Sequence, residues 1–208
     1  MRACSKGLKG FLRWIEELIK GVKSGKAKNG EELLEDVERA VGMAENLKTT
    51  INVEEFLASA KRLENIKPEE ALKYLDEALV HFNHEVVDGV VMKISDTNCA
   101  LVVQSVDEFL KTGKITKAAT SEPLNLEIFG NDVYNKTFLS IENISSLKNL
   151  FKEGERGIIA GLKNTGKGHV FNVIKTNGFL KFVDGQSGGP ANLNAGYKIF
   201  KYLKTFKL

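Results

Sequence analysis

Apolar residues recur at every third or fourth position through the first part of the chain. Leu8, Phe11, Leu12, Ile15, Leu18, Ile19 and Val22 form one such stripe, which predicts an amphipathic helix over residues 6–24. After a polar, glycine-bearing turn, Leu33, Leu34, Val37, Ala40, Val41, Ala44 and Leu47 repeat the stripe over residues 31–48. Asn52 followed by Glu55 reads as a capping pair, opening a third helix that carries Phe56, Leu57, Ala60 and Leu63. Pro68 suits the first turn of a fourth, where its missing N–H costs nothing. That helix has the stripe Ala71, Leu72, Leu75, Ala78, Leu79 and Phe82. Four amphipathic helices with short connections predict a small bundle or helical cap over residues 1–85.

The period then changes. Val86, Val87, Val90 and Val91 flank an Asp-Gly pair in a β-like run, which places a domain boundary near residue 85. Cap-type residues Ser95, Asp96, Thr97 and Asn98 precede a helical stripe of Leu101, Val102, Ser105, Val106, Phe109 and Leu110, with Gly113 as a stop signal. Cys99 falls in the first turn of this helix. Residues 114–143 lack a period and read as an irregular binding or covering loop. A short helix over 144–151 and a strand over 156–162 follow. Two more strands flank Asn177-Gly178, and a final strand or short helix runs over 197–206. The pattern predicts an α+β chain with a helical segment at 1–85 and a second domain at 86–208.

Composition narrows the picture. Of 208 residues, 42% are hydrophobic and 27% charged, as in ordinary globular proteins. The formal net charge is +3 with no long basic run, so nucleic acid is not an expected partner. No run approaches the ~20 apolar residues of a membrane span, and charges interrupt the apolar part of the N-terminal segment, so neither a span nor a signal peptide is read. Cys4 and Cys99 are the only cysteines and are expected to stay reduced. His81 and His84 stand three apart without a third ligand nearby, so no metal is expected. The segment from Gly161 to Gly168 nearly matches a phosphate-binding loop. However, Gly168 stands where a magnesium-binding hydroxyl is needed, and a β pattern follows instead of a helix.

The hairpin around Asn177-Gly178 carries chemistry. Asn-Gly favours a two-residue turn. In that register Thr176 faces Phe179, Phe171 faces Asp184 and His169 faces Gln186. His169 and Asp184 then share one face as diagonal neighbours, roughly 7–8 Å apart at the backbone, within reach of their side chains. A carboxylate holding an imidazole is the orienting part of a nucleophilic triad. Cys99 qualifies as the nucleophile, since a helix N-terminus favours the thiolate. Its backbone N–H would serve an oxyanion, with help expected from Asn98, Thr97 or Gln186.

Asn98-Cys99, Val106-Asp107, Leu110, Thr112-Gly113, the block Gly168-His169-Val170-Phe171-Asn172-Val173 and the block Phe182-Val183-Asp184-Gly185-Gln186-Ser187-Gly188 together resemble the papain-like toxin family. These are glutamine deamidase-type domains of bacterial polymorphic toxins and effectors. The resemblance spans about residues 90–208. It implies a papain-like core, a nucleophile helix on a small antiparallel sheet, preceded here by the helical segment. It also implies Cys99 as nucleophile, His169 as base, Asp184 as orienting acid and no cofactor. The expected partners are a target protein and a cognate immunity protein. The expected setting is export or injection by a bacterium and action in the target-cell cytoplasm. A cysteine endopeptidase on the same scaffold is the alternative enzyme. A non-catalytic helical binding module, with Cys99 as a core residue, is the alternative outside enzymology.

Overall fold

The computed structural model describes residues 51–165 and 168–207. The helices expected over 6–24 and 31–48, and Gly166 and Lys167 of the rejected phosphate-loop match, lie outside the described residues. Contacts divide the chain into two compact units, residues 1–56 with 86–92, and residues 57–85 with 93–208. In the first unit, the Asn52 side chain accepts from the Glu54 and Glu55 amides at 2.8 and 3.2 Å and so starts helix α1, Val53–Leu63. The Val86–Met92 part is the tip of a hairpin formed by strands β1, His84–Val87, and β2, Val90–Lys93. Asp88 and Gly89 turn it with φ of 49° and 77°, the conformation that an Asp-Gly hairpin turn requires.

The second unit mixes helices with an antiparallel sheet. Pro68 opens a short 3₁₀ turn, Pro68–Glu70, that runs into α2, Ala71–Ala78. Residues 57–85 group with 93–208, on the far side of the division expected near residue 85. The reason is the α2 stripe. Leu75, Ala78, Leu79 and Phe82 are buried in one cluster with Val102, Val106 and Phe109, and with Ile174 and Val183 of the sheet. Burying each such side chain stabilises by about 1.5–3 kcal/mol, so the stripe belongs to this core.

The central helix is α3, Cys99–Thr112. It is buried on most of its circumference because the sheet and α2 both pack on it. It stops at Gly113, whose φ of 74° suits glycine, and a Cβ there would lie 2.1 Å from the Ile66 carbonyl oxygen. Residues 114–143, expected to be irregular, hold helix α4, Leu126–Tyr134, and strand β3, Leu139–Ile141. Asn125 caps α4 by accepting from Glu127 and Ile128, and Asn135 ends it at φ 51°. Only Phe129 and Gly130 of this helix are buried, which is why it shows no stripe.

After the short helix α5, Leu147–Leu150, come β4, Glu155–Leu162, β5, Gly168–Thr176, β6, Phe179–Asp184, β7, Gly189–Pro190, and β8, Ile199–Lys207. The sheet order is β3-β8-β4-β5-β6-β7, with every pairing antiparallel. Alternation assigns the faces. Val170 and Ile158 lie with Ala100 and Val103 on the α3 side, whereas Phe171, Val173 and Ile159 lie with Leu147 and Phe151 on the other. Both faces are covered, so β4 and β5 are buried almost throughout. Among the described residues no helix is long and apolar enough to cross a membrane.

Candidate active site

The hairpin register is the one the Asn177-Gly178 turn predicts. Thr176 pairs with Phe179 and Asn172 with Val183, and the turn residues have φ of 52° and 78°. His169, second residue of β5, and Asp184, last residue of β6, therefore come together. His169 Nε2 lies 2.9 Å from Asp184 Oδ2. That leaves Nδ1 as the ring nitrogen for the third member. Cys99 opens α3 and is half-buried with a free thiol. Its thiol lies close enough to the His169 imidazole for each group to shift the other's pKa. The imidazole thus bridges a thiol and a carboxylate contributed by three separate segments.

Each of the three groups is shifted in the direction that favours charge. For Cys99, burial pushes the thiol pKa up. The bond to His169, the backbone of Val170 and Ala100 and the imidazolium charge outweigh that, so it falls below its ordinary value. For His169, burial pushes down. Hydrogen bonds and charges from Asp184 and Cys99 outweigh it and raise the pKa to about 9. For Asp184, burial pushes up, while His169, Ser187 and the Gln186 amide hold the carboxyl below its usual value. The arrangement favours thiolate and imidazolium together.

The residues expected to serve an oxyanion are placed as follows. Asn98 sits at the N-cap position of α3 but makes no side-chain cap. Its side chain turns inward, fully buried, and donates to Asn83 Oδ1 at 2.9 Å and to the Ala119 carbonyl at 3.0 Å. Thr97 donates its hydroxyl to the Ser121 carbonyl at 2.6 Å. Both side chains therefore have their donors engaged within the protein. Gln186 is buried beside the acid. Its backbone N–H donates to Asp184 Oδ1 at 2.9 Å, and Nε2 donates to Asn98 Oδ1 at 3.2 Å. Among the described residues, Nε2 makes no second hydrogen bond. The Cys99 backbone N–H is one of the orphan donors of a helix start.

Two participants lack a sequence signal. Asn83 follows the α2 stripe and is fully buried under the site. Tyr197 precedes β8, and its ring covers Gly161, the residue paired with His169 across β4 and β5. A Cβ at Gly161 would lie 2.6 Å from the Tyr197 ring, so the missing side chain makes room for that aromatic wall. Phe171 continues the wall, with ring centroids 6.4 Å from Tyr197 and 6.2 Å from His169. Burial, then the charges of Asp184 and Cys99, raise the Tyr197 hydroxyl pKa, so the phenol stays neutral beside them. Gly185 closes the other side, since a Cβ there would lie 2.8 Å from Val102 and 2.9 Å from Val106 of α3. Comparison with protein-family models, with curated proteins and with solved structures finds no match to this chain.

Proposed function

We propose that this chain is a cysteine-dependent amidohydrolase with a papain-like core, acting as a bacterial toxin or effector that deamidates a glutamine side chain of a target protein. The observation that carries the reading is His169 held between Asp184 and Cys99, with the thiol shifted toward thiolate and the imidazole toward imidazolium. A Cys, His, Asp line of this kind is built for acyl transfer. The likeness of the Cys99, His169 and Asp184 blocks to papain-like toxin domains selects glutamine as the acyl donor. An export route, a target-cell site of action and a cognate immunity protein follow from that likeness and are part of the proposal.

In the reaction, the Cys99 thiolate attacks the carboxamide carbon. Negative charge develops on the carbonyl oxygen, where the Cys99 backbone N–H and the second amide hydrogen of Gln186 would donate. Imidazolium His169 gives its proton to the nitrogen as the C–N bond breaks, and ammonia leaves. The product is a thioester on Cys99. Neutral His169 then takes a proton from water, the hydroxide adds to the thioester carbon, and the C–S bond breaks. Glutamate leaves and the thiolate returns. Asp184 stabilises the imidazolium at both stages and fixes the ring. No step calls for a cofactor.

The test is proteome-wide peptide mass spectrometry on cells expressing the wild type or Cys99→Ala. Glutamine-to-glutamate conversions confined to the wild type support deamidation. New chain termini confined to the wild type instead identify an endopeptidase with the same triad. Identical proteomes and identical toxicity for the two proteins remove catalysis and leave a binding module.

A further inference from the structure

Asn83 lies outside the triad and upstream of the segment that carries the toxin-like motifs, yet its side chain makes three hydrogen bonds beneath the site. Its Nδ2 donates to the Ser95 carbonyl at 2.7 Å and to the Gln186 carbonyl at 3.1 Å. Its Oδ1 accepts from Asn98 Nδ2 at 2.9 Å. Its own carbonyl accepts from the Ile94 amide at 2.7 Å. Gln186 Nε2 bonds Asn98 Oδ1 at 3.2 Å and closes a buried triangle whose third side is the bond from Asn83 to the Gln186 main-chain carbonyl. Asn83 and Asn98 are 0% exposed and Gln186 is 7% exposed, so water does not compete for these bonds.

Each corner belongs to a different segment. Ser95 and Asn98 are the approach to Cys99, Gln186 is two residues past Asp184, and Asn83 ends the 3₁₀ turn Leu79–Phe82. We propose that Asn83 is a positioning residue for the active site, a clamp that fixes the segment carrying Cys99 against the segment carrying Asp184 so that His169 meets both. The proposal rests on the catalytic reading of Cys99, His169 and Asp184. An asparagine suits the task because two donors and an acceptor in one plane can hold three segments at once. Neither a hydroxyl nor an aliphatic residue supplies that set. The bonds also account for the absent N-cap, since Asn98 has turned from capping α3 to joining the triangle. Such a break of a local rule is expected where a site requires it.

The experiment follows alkylation of Cys99 by iodoacetamide across pH, read by mass spectrometry on the Cys99 peptide so that Cys4 does not contribute. Wild type, Asn83→Ala, Asn83→Asp and Arg156→Met are compared, each with its thermal midpoint. Asn83→Asp keeps the oxygen that accepts from Asn98 and loses amide donors. Arg156→Met is a destabilised control away from the site. The expected result is a half-maximal pH raised by about one unit or more in Asn83→Ala, toward the ordinary thiol value of about 8.5, with a smaller rise in Asn83→Asp and none in Arg156→Met. Asn83 curves that superimpose on a depressed wild-type curve overturn the clamp and leave the catalytic reading standing. A wild-type curve at the ordinary thiol value overturns the catalytic reading and the clamp with it. If neither Asn83 variant folds, Asn83 is a folding residue and the clamp is overturned.

Discussion

Helix α3 is tied to the sheet by two buried charged clusters of different kinds. At its start, Cys99 meets His169, which is backed by Asp184 at 2.9 Å. Two turns further on, Asp107 Oδ1 accepts from Arg156 Nε at 2.8 Å and from the Thr205 hydroxyl at 2.7 Å. Burial raises the Asp107 pKa, and Arg156 and Thr205 only partly offset it. Both clusters join α3 to strands, but only the first holds a proton that can move. A guanidinium does not release its proton in proteins, whereas a thiol and an imidazole exchange theirs near neutrality. The lower cluster is thus a fixed pin, and the upper one is poised for proton transfer.

The largest effect should come from removing the movable proton. On the proposed function, Cys99→Ala is expected to lower the rate of glutamine conversion by about 10⁴-fold or more. Its thermal midpoint should stay near that of the wild type, since the side chain is half-buried and His169 keeps its bond to Asp184. The pin should behave in the opposite way. Arg156 is 2% exposed, and Arg156→Met leaves the Asp107 carboxylate buried without its cation, at a cost of roughly 3–5 kcal/mol in denaturant unfolding. Its Cys99 alkylation curve should overlay that of the wild type. A shift of that curve would show that the two clusters are coupled through α3.

Asp184→Asn sharpens the contrast within the upper cluster. Asparagine keeps a hydrogen-bonding oxygen but removes the charge that helps raise His169 to about 9. NMR titration of the imidazoles is clean because the chain has three histidines. The other two, His81 and His84, are both shifted down, chiefly by burial. In the wild type one resonance should titrate near 9, and in Asp184→Asn it should move toward the ordinary value of about 6.5. Because His169 is raised on folding, the stabilisation from its protonation is complete below about 6.5 and is lost as pH rises through about 9. Over that window the thermal midpoint of the wild type should fall toward that of Asp184→Asn.

The two clusters also differ in how readily the sequence discloses them. His169 and Asp184 were legible because an Asn-Gly turn fixes register, and register fixes which side chains share a face. Helix α3 was legible from its stripe and its glycine stop. The pin was not, because Asp107, Arg156 and Thr205 lie on three elements far apart in the chain, and no local period links them. Asn83 and Tyr197 were silent for the same reason. Helix α4 was missed because it buries only two residues and so lacks a stripe. Local patterns report contacts made within an element or across one turn. The pin, the amide triangle and the aromatic wall are all contacts across the fold.

The smallest expected effects separate two hydroxyls in the same part of the fold. Thr205 donates to Asp107 at 2.7 Å and is 5% exposed, so Thr205→Val should destabilise by about 1.5–3 kcal/mol, the usual worth of a hydrogen bond to a charged group. Tyr134 OH is buried and has no hydrogen-bond partner. Burial, then the Asp107 charge, raises its pKa, which keeps the phenol neutral. Folding takes that hydroxyl out of water and returns no bond. Tyr134→Phe keeps the edge-to-face contact with Phe129, whose ring centroid lies 5.7 Å away. The substitution should therefore stabilise, by about 1 kcal/mol, raising the thermal midpoint by about 2–4 °C. Opposite signs for Thr205→Val and Tyr134→Phe in one melting series would show that the pin draws on Thr205 and not on the phenol. A fall in the midpoint of Tyr134→Phe would place the phenol hydroxyl inside the pin's hydrogen-bond network.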